Sequence, residues 1–183
     1  IGGTSPSYAT FAAAITALNS VGVCGPVTFN VRTGTYTEQF SLGVIPGISA
    51  TNTVTFKSET GDSLNTVISY PSSTYVIQLN ASKYITFKQL TISNSGSTSG
   101  SYTVQFLGGA NNITFKNCII QHSMNTGTTA YVLYSSTDND NYNTFDGNVF
   151  DGGYYNIYWY GLSTASFEVG NVFKNNRFTN YYY

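Results

Sequence analysis

Apolar and polar positions follow a short phrase that recurs along the chain, in which an apolar residue, threonine, phenylalanine and a polar residue come in succession. It occurs at Val27–Asn30, Val54–Lys57, Ile85–Lys88 and Ile113–Lys116, and in weaker form at Asn143–Asp146 and Val172–Lys174. The phenylalanines at 29, 56, 87, 115, 145 and 173 are 27, 31, 28, 30 and 28 residues apart. A period this constant predicts a solenoid of stacked repeats.

Each repeat contains the pattern of three short strands. The phrase alternates β-branched or aromatic residues with polar ones, which predicts a strand. A second apolar position follows five residues after each later Phe, across a bend with Asn or Gly that suits a tight corner. Third strands are predicted before the later phrases, at Val76–Leu79, Thr103–Leu107, Ala130–Tyr134 and Asn156–Tyr160. With no helix between the strands, we predict an all-β fold, a parallel β-helix of about six coils.

The two ends of the chain differ. Residues 8–19 place Phe11, Ala14, Ile15 and Leu18 at helical spacing, with Thr10 or Ser7 available as a cap, so residues 1–25 are predicted to form an entry loop and a capping helix. Residues 26–183 then form the coils. The last coil carries no such cap, which predicts an open strand edge at Tyr181, Tyr182 and Tyr183.

Composition narrows the class of protein. Hydrophobic residues make up 41% of the 183 residues and charged residues only 8%, so the polar surface consists of Ser, Thr, Asn, Gly and Tyr, as in secreted bacterial β-proteins. A net charge of −1 with 7 basic residues provides no footprint for nucleic acid, and no apolar run is long enough for a membrane span. The chain starts within a strand-like phrase, which we interpret as a trimmed mature end or an excerpt.

Cysteine and histidine offer no metal site. Cys24 and Cys118 are predicted to lie about three coils apart, too far for a disulfide, so both thiols should be free, with Cys118 in the inward position that Leu90 holds one coil earlier. His122 cannot form a metal site alone. We expect no cofactor, with calcium as the one alternative.

Two resemblances extend these predictions. The repeat length and the Asn-bearing corner resemble the right-handed parallel β-helix repeat of pectin-lyase-like proteins over residues 26–183, which implies a fold that hosts lyases, hydrolases, adhesins and stalks. Residues 1–40, with Ile1-Gly2-Gly3, Gly25-Pro26 and Gly34-Thr35-Tyr36, resemble the opening module of large secreted surface proteins of gliding-type Bacteroidota. That resemblance implies a secreted location, extracellular or on the outer cell surface. Asp62-Ser63-Leu64 also resembles the O-glycosylation acceptor of that group, with Ser63 as the modified residue and a plain turn as the alternative.

The acidic residues are the candidates for catalysis. β-Helix glycosidases use paired carboxylates, and the acids in question are Asp138, Asp140, Asp146 and Asp151. Asp146 occupies the outward position of the lysines in other coils, so an ion pair with those lysines is the structural alternative. Asp138-Asn139-Asp140-Asn141 has the oxygen density of a calcium loop but not its spacing.

Aromatic residues are the candidates for contact. Tyr158 and Tyr160 are predicted to face outward and to continue a stripe begun by Tyr131, whereas strict alternation buries Trp159 unless the strand bends. We predict that Tyr131, Tyr158, Trp159 and Tyr160 contact a glycan or a protein partner, and the alternative is that tyrosine merely fills a pleated face. The evenly spaced outward threonines raise an ice-binding possibility, which the neighbouring lysines disfavour.

Three functions remain open. The first is a non-catalytic structural or adhesive module that self-associates end to end into a filament or forms part of a larger surface protein. The second is a carbohydrate-active enzyme of the lyase or hydrolase kind, and the third is a carbohydrate-binding module. The sequence favours the first, because acids and bases are few and scattered and only one end has a predicted lid.

Overall fold

The computed structural model describes residues 1–123 and 129–182 and shows an all-β parallel solenoid with one short helix. The first sheet has strands β1 (Val27–Val31), β4 (Val54–Ser58), β7 (Ile85–Lys88), β10 (Thr114–Lys116), β13 (Thr144–Asp146) and β16 (Val172–Lys174). The second has β2 (Gly34–Tyr36), β5 (Thr66–Tyr70), β8 (Thr91–Asn94), β11 (Ile119–His122), β14 (Val149–Gly152) and β17 (Arg177–Thr179). The third has β3 (Phe40–Leu42), β6 (Ile77–Asn80), β9 (Tyr102–Leu107), β12 (Tyr131–Ser135) and β15 (Tyr155–Trp159).

The number of complete coils is smaller than expected. The third sheet has five strands and the other two have six. Within the described residues, the chain therefore completes about five turns, and the sixth coil contributes β16 and β17 only. The expected six coils were counted from six Phe phrases, and the sixth phrase belongs to this incomplete turn.

The register of the first sheet follows the repeated phrase. Thr28, Thr55, Thr86, Thr114 and Thr144 pair in sequence, as do the phenylalanines beside them. The Phe rings stack from coil to coil between Phe29 and Phe173, with centroid distances of 4.5–5.7 Å and interplanar angles of at most 13°. Burial of the rings from Phe29 to Phe145, together with Ile, Val and Leu residues of all three sheets, forms one continuous core.

A left-handed residue makes the corner between the first and second sheets. Gln89, Asn117, Gly147 and Asn175 each lie two residues after the stacked Phe and have φ between 52° and 69°. Asn and Gly adopt this conformation at low cost, which explains why they recur at this position. The corner turns the next residue inward, and Leu90, Cys118 and Asn148 are accordingly buried.

Helix α1 (Phe11–Val21) covers the core at the first coil. The Thr10 hydroxyl accepts a hydrogen bond from the Ala13 N–H at 3.1 Å, and the Glu38 carboxylate accepts bonds from the Phe11 and Ala12 N–H groups at 3.0 and 2.9 Å. These bonds satisfy donors that the helix start leaves unpaired. The buried Phe11 ring stacks on Phe40, so the helix closes this end of the core.

Candidate functional site

The last coil exposes side chains that other coils bury. Phe145 and Phe150 are fully buried, whereas Phe173 and Phe178, which stack on them, are 38% and 43% exposed. Val172, beside Phe173 on β16, is also exposed. Exposed apolar groups that share one end of a sheet stack are typical of a contact surface. We refer to Val172, Phe173 and Phe178, with the free edges of β16 and β17, as the coil end.

Buried asparagines link the later coils and lead to the coil end. Asn148 accepts a hydrogen bond from the Cys118 N–H at 2.9 Å and donates one to the Phe115 carbonyl at 2.9 Å. Asn176 repeats this pattern one coil later, with the Asn148 N–H and the Phe145 carbonyl. At the other corner, Asn143 and Asn171 do the same. Each Asn side chain thus binds the backbone of the coil before it. Among the described residues, no side chain of a following coil binds the backbone of Asn171 or Asn176 in this way.

Tyrosines form a continuous face on the outside of the third sheet. Neighbouring rings have centroids 4.4–5.5 Å apart throughout a set that we call the tyrosine face, comprising Tyr102, Tyr131, Tyr134, Tyr154, Tyr155, Tyr158, Tyr160 and Tyr182. Burial, followed by the neighbouring Tyr134 and Tyr131, raises the pKa of the Tyr102 hydroxyl. The sequence predicted Tyr131, Tyr158 and Tyr160 as contact residues; Tyr102 and Tyr134 join them because the parallel register places β9 and β12 side by side.

In several pairs of these tyrosines, the ring faces pack against each other and are not open to solvent. The rings of Tyr131 and Tyr155 are within 12° of parallel, and those of Tyr134 and Tyr158 are within 6°. Ring edges and hydroxyl groups are therefore the parts that such pairs present outward. A sugar ring that stacks on an aromatic residue needs an open face, so these pairs offer it less surface than their number suggests.

Trp159 lies apart from the tyrosine face. Its ring packs edge-on against Phe106, Phe145 and Phe173, on the inner side of β15. The indole N–H donates a hydrogen bond to Glu168 Oε2. The strand alternates from Ile157 to Tyr160, whereas Tyr155 and Tyr158 both lie on the outer face, and Trp159 is half-buried. Tyr181 and Tyr182 are exposed near the coil end, and Tyr183 lies outside the described residues.

Two carboxyl groups converge on one serine hydroxyl at the corner between the third and first sheets. The buried Ser135 Oγ lies 2.6 Å from Asp140 Oδ2 and 3.1 Å from Glu168 Oε1. The hydroxyl has a single hydrogen to donate, so the second contact is a hydrogen bond only when one carboxyl group is protonated. Burial raises the pKa of both Asp140 and Glu168, although hydrogen bonds from Ser135 and from backbone N–H groups act in the opposite direction.

Asp138 and Asp140 also hold the backbone of the preceding coil. Asp138 Oδ2 accepts a hydrogen bond from the Gly108 N–H at 2.7 Å, and Asp140 Oδ1 accepts one from the Ala110 N–H at 2.7 Å. The sequence could not indicate Glu168 as their partner, because the intervening loop leaves its position open. Among the described residues, no three His, Cys, Asp or Glu side chains form a group that could hold a metal ion.

Asp146 and Asp151 form ion pairs and hydrogen bonds with side chains of neighbouring coils. Asp146 Oδ2 lies 3.9 Å from Lys116 Nζ and 3.7 Å from Lys174 Nζ, as the outward register predicts. A hydrogen bond from Asn175, together with the two lysines, lowers the pKa of Asp146. Asp151 accepts hydrogen bonds from Thr179 and Asn180, both at 2.6 Å. The four candidate acids thus lie at three separate places, each with its own partners.

The remaining candidates have structural contacts. His122 pairs with Asn94 and Gly152 in neighbouring coils, its Nε2 lies 3.0 Å from Ser101 Oγ, and burial lowers its pKa to about 4. Both cysteines are free, and Cys118 is buried in the position predicted for it. Asp62 accepts hydrogen bonds from the Leu64 and Asn65 N–H groups, which forms a turn around the half-buried Ser63.

The fold defines the chain as a parallel β-solenoid whose core is covered by α1 at the first coil and exposed at the last described coil. Comparison of the chain with protein-family models, with curated proteins and with solved structures found no match. In the part of the chain that the structure describes, no helix has the length and apolar character needed to cross a membrane.

Proposed function

We propose that the chain is a non-catalytic structural module of a secreted, cell-surface assembly, and that its coil end joins it to another β-solenoid surface. The observation that carries this proposal is the exposure of Phe173 and Phe178, at 38% and 43%, in ring columns that are buried in earlier coils. Covering them removes apolar surface from water and pairs the free edges of β16 and β17. A second copy and the further coils of a larger surface protein are the two occupants that fit.

The asymmetry of the two ends bears on how copies meet. Helix α1 covers the core at the first coil, so two copies bury equivalent exposed Phe rings only when two coil ends face each other. That arrangement is a closed pair with two-fold symmetry. A filament would require the helix-covered end to take part as well. The number of molecules in the assembly therefore identifies which ends are used.

Electron microscopy and light scattering across protein concentration test this proposal. The variant is Phe173→Asp/Phe178→Asp, and the control is Phe167→Asp, because Phe167 is 71% exposed but lies in the loop before β16. We expect pairs or filaments that grow with concentration, are lost in the double variant and persist in the control. Assembly that survives the double variant would contradict the use of the coil end.

If the protein is uniformly monomeric, the remaining candidate to cover the coil end is a further coil of a larger surface protein. In that case a coil with the motif Asn-x-Phe-x-x-Asn-x-Phe, which occurs at residues 143–150 and 171–178, is appended to the chain. It should raise the free energy of unfolding and protect the β16 amides from hydrogen exchange. Neither effect would occur if the coil end is not a stacking surface.

Carbohydrate binding is the second candidate, and the tyrosine face is the observation that favours it. Its hydroxyl groups offer hydrogen bonds, and Tyr160 and Tyr182, at 52% and 60% exposure, offer accessible rings. Retention of the protein on immobilised neutral glycans should fall in Tyr158→Ala and in Tyr160→Ala. It should be unchanged in Tyr181→Ala, a tyrosine of similar exposure outside this face. Equal retention in all variants would remove the candidate.

A carbohydrate-active enzyme is a weaker alternative. Asp138, Asp140, Asp146 and Asp151 each have hydrogen-bond or ion-pair partners that account for their presence. Cleavage of a polyuronate that disappears in Asp146→Asn, with the fold intact, would restore this alternative.

A further inference from the structure

A groove lies at the opposite end from the coil end, between α1 and the free edge of β1. It has a volume of about 460 Å³, and its lining includes Tyr8, Leu18, Val27 and Phe29, with Arg32 and Glu59 at its polar side. The edge strand β1 forms one wall. The groove is thus bordered by both backbone and apolar side chains, the two features that an added strand requires.

The hydrogen bonds of β1 show which backbone groups face the groove. The Val27 N–H donates to the Thr53 carbonyl, and the Val31 carbonyl accepts from the Glu59 N–H, so alternate residues of β1 bond to the β4 side. Thr28 and Asn30 therefore point away from β4. Among the described residues, none is bonded to the Thr28 N–H, the Thr28 carbonyl or the Asn30 N–H.

Ile1 already occupies one position of a parallel strand beside β1. Its amino group donates to the Asn30 carbonyl at 2.6 Å, and its carbonyl accepts from the Arg32 N–H at 3.1 Å. These two bonds are the parallel pairing of Ile1 with Val31. The Ile1 side chain is buried, at 9% exposure. The pairing that the groove would continue is therefore present in the structure.

The Ile1 nitrogen is the point from which this pairing would continue. A peptide N–H at this position makes the same bond to the Asn30 carbonyl in a parallel ladder.

We propose that the groove accepts one further β-strand, parallel to β1, which continues directly into the nitrogen of Ile1. In this register the second residue before Ile1 donates its N–H to the Thr28 carbonyl and accepts from the Asn30 N–H. The fourth residue before Ile1 accepts from the Thr28 N–H. The occupant is an extended segment joined to Ile1 in a longer chain, and this site is independent of the coil end.

The alternation of strand side chains specifies the composition of this segment. Residues two apart in a strand face the same side, so the second residue before Ile1 faces inward, as Ile1 does. It lies beside Phe29 and meets the apolar lining from Leu18 and Tyr8. The segment should therefore have an apolar residue at this position and a polar residue immediately before Ile1.

Hydrogen exchange of the Asn30 amide tests the proposal directly. One form of the protein carries a valine–threonine–valine–threonine extension before Ile1, which places valine at the inward positions. The control extension has the same composition in the order threonine–valine–threonine–valine, which shifts every side chain to the other face. We expect exchange at Asn30 to slow at least tenfold with the first extension, and its melting temperature to exceed that of the control.

Two results would overturn the proposal. Unchanged Asn30 exchange with the first extension, in a protein whose circular dichroism is unaltered, would show that the groove takes no strand. Equal protection by both extensions would show that the register and the inward side chain do not matter. Protection that appears only with dimerisation would assign the strand to a second copy and would also contradict the proposal.

Discussion

Phe145 and Phe173 stack with their ring centroids 4.5 Å apart and their planes within 10°, yet Phe145 is fully buried and Phe173 is 38% exposed. The two residues hold the same position in successive coils. What differs between them is the presence of a following coil. The last described coil thus exposes the ring column that earlier coils bury.

This difference predicts unequal costs of truncation. Phe145→Ala leaves a cavity in a packed column and should lower the free energy of unfolding by about 3–5 kcal/mol. Phe173→Ala removes fewer buried contacts and should cost about 1–2 kcal/mol in a monomer. Urea unfolding of both variants measures the ratio. Under conditions where the coil end is covered, the two costs should converge.

Asn148 should be among the most sensitive polar residues. Asn148→Ala leaves the buried Cys118 N–H and Phe115 carbonyl without their partners, and the expected loss is about 2–4 kcal/mol. Asn19→Ala on the exposed side of α1 is the control, since alanine favours the helix and little should change. A loss below 0.5 kcal/mol for Asn148→Ala, or about the scatter of surface substitutions, would mean that neighbouring groups replace the side chain.

Acidification should destabilise the fold through His122. Burial lowers the pKa of this imidazole to about 4, below its ordinary value of 6.5. The unfolded chain therefore takes up its proton first, and the stability that neutral His122 contributes is lost as the pH falls from 6.5 to about 4. The full loss is on the order of 3 kcal/mol. In His122→Asn, the residue type found at this position in the preceding coil, melting temperature should depend less on pH in that range.

Asp140 and Glu168 should produce the opposite trend. Because burial raises both pKa values, the folded state retains their protons longer than the unfolded state does. Their contribution is present below the ordinary carboxyl pKa range and is lost as the pH rises through the folded values. Trp159, the one tryptophan of the chain, donates to Glu168, so its fluorescence should follow this titration. A fluorescence profile that is the same in Glu168→Gln would assign the change to another group.

The sequence alone was sufficient to predict the repeat and the pairing register of the first sheet. The Phe phrases predicted the pairing of the first sheet, and the Asn and Gly corners predicted its left-handed turns, because both depend on neighbours in the chain. Of the two caps predicted for the helix, Thr10 and Ser7, the structure shows Thr10. Four of the five strands of the third sheet were predicted, each within one residue of its observed bounds, and β3 was not predicted.

Contacts that depend on loop paths could not be predicted. Glu168 reaches Ser135 and Asp140 across a loop whose length gives no register, so its partnership has no sequence signal. The Asn-bearing bend was predicted, but the side-chain bonds of Asn148 and Asn176 to the preceding coil depend on the exact height of each turn. Ring orientation in the tyrosine face likewise follows from inter-coil stacking and not from strand alternation.

The combination of a helix-covered end and a bare end has a mechanical meaning. Each coil bonds mainly to the coils on either side of it, so a pulling force is resisted layer by layer and not by the whole molecule at once. Tension applied at the C-terminal side of the described residues should peel off β16 and β17 first, since within these residues they pair with a strand on one side only. Each coil released adds about 90–100 Å of slack for roughly 28 residues of extended chain. The molecule should thus lengthen in steps of similar size, one coil at a time. The coil covered by α1 should be the last to unfold.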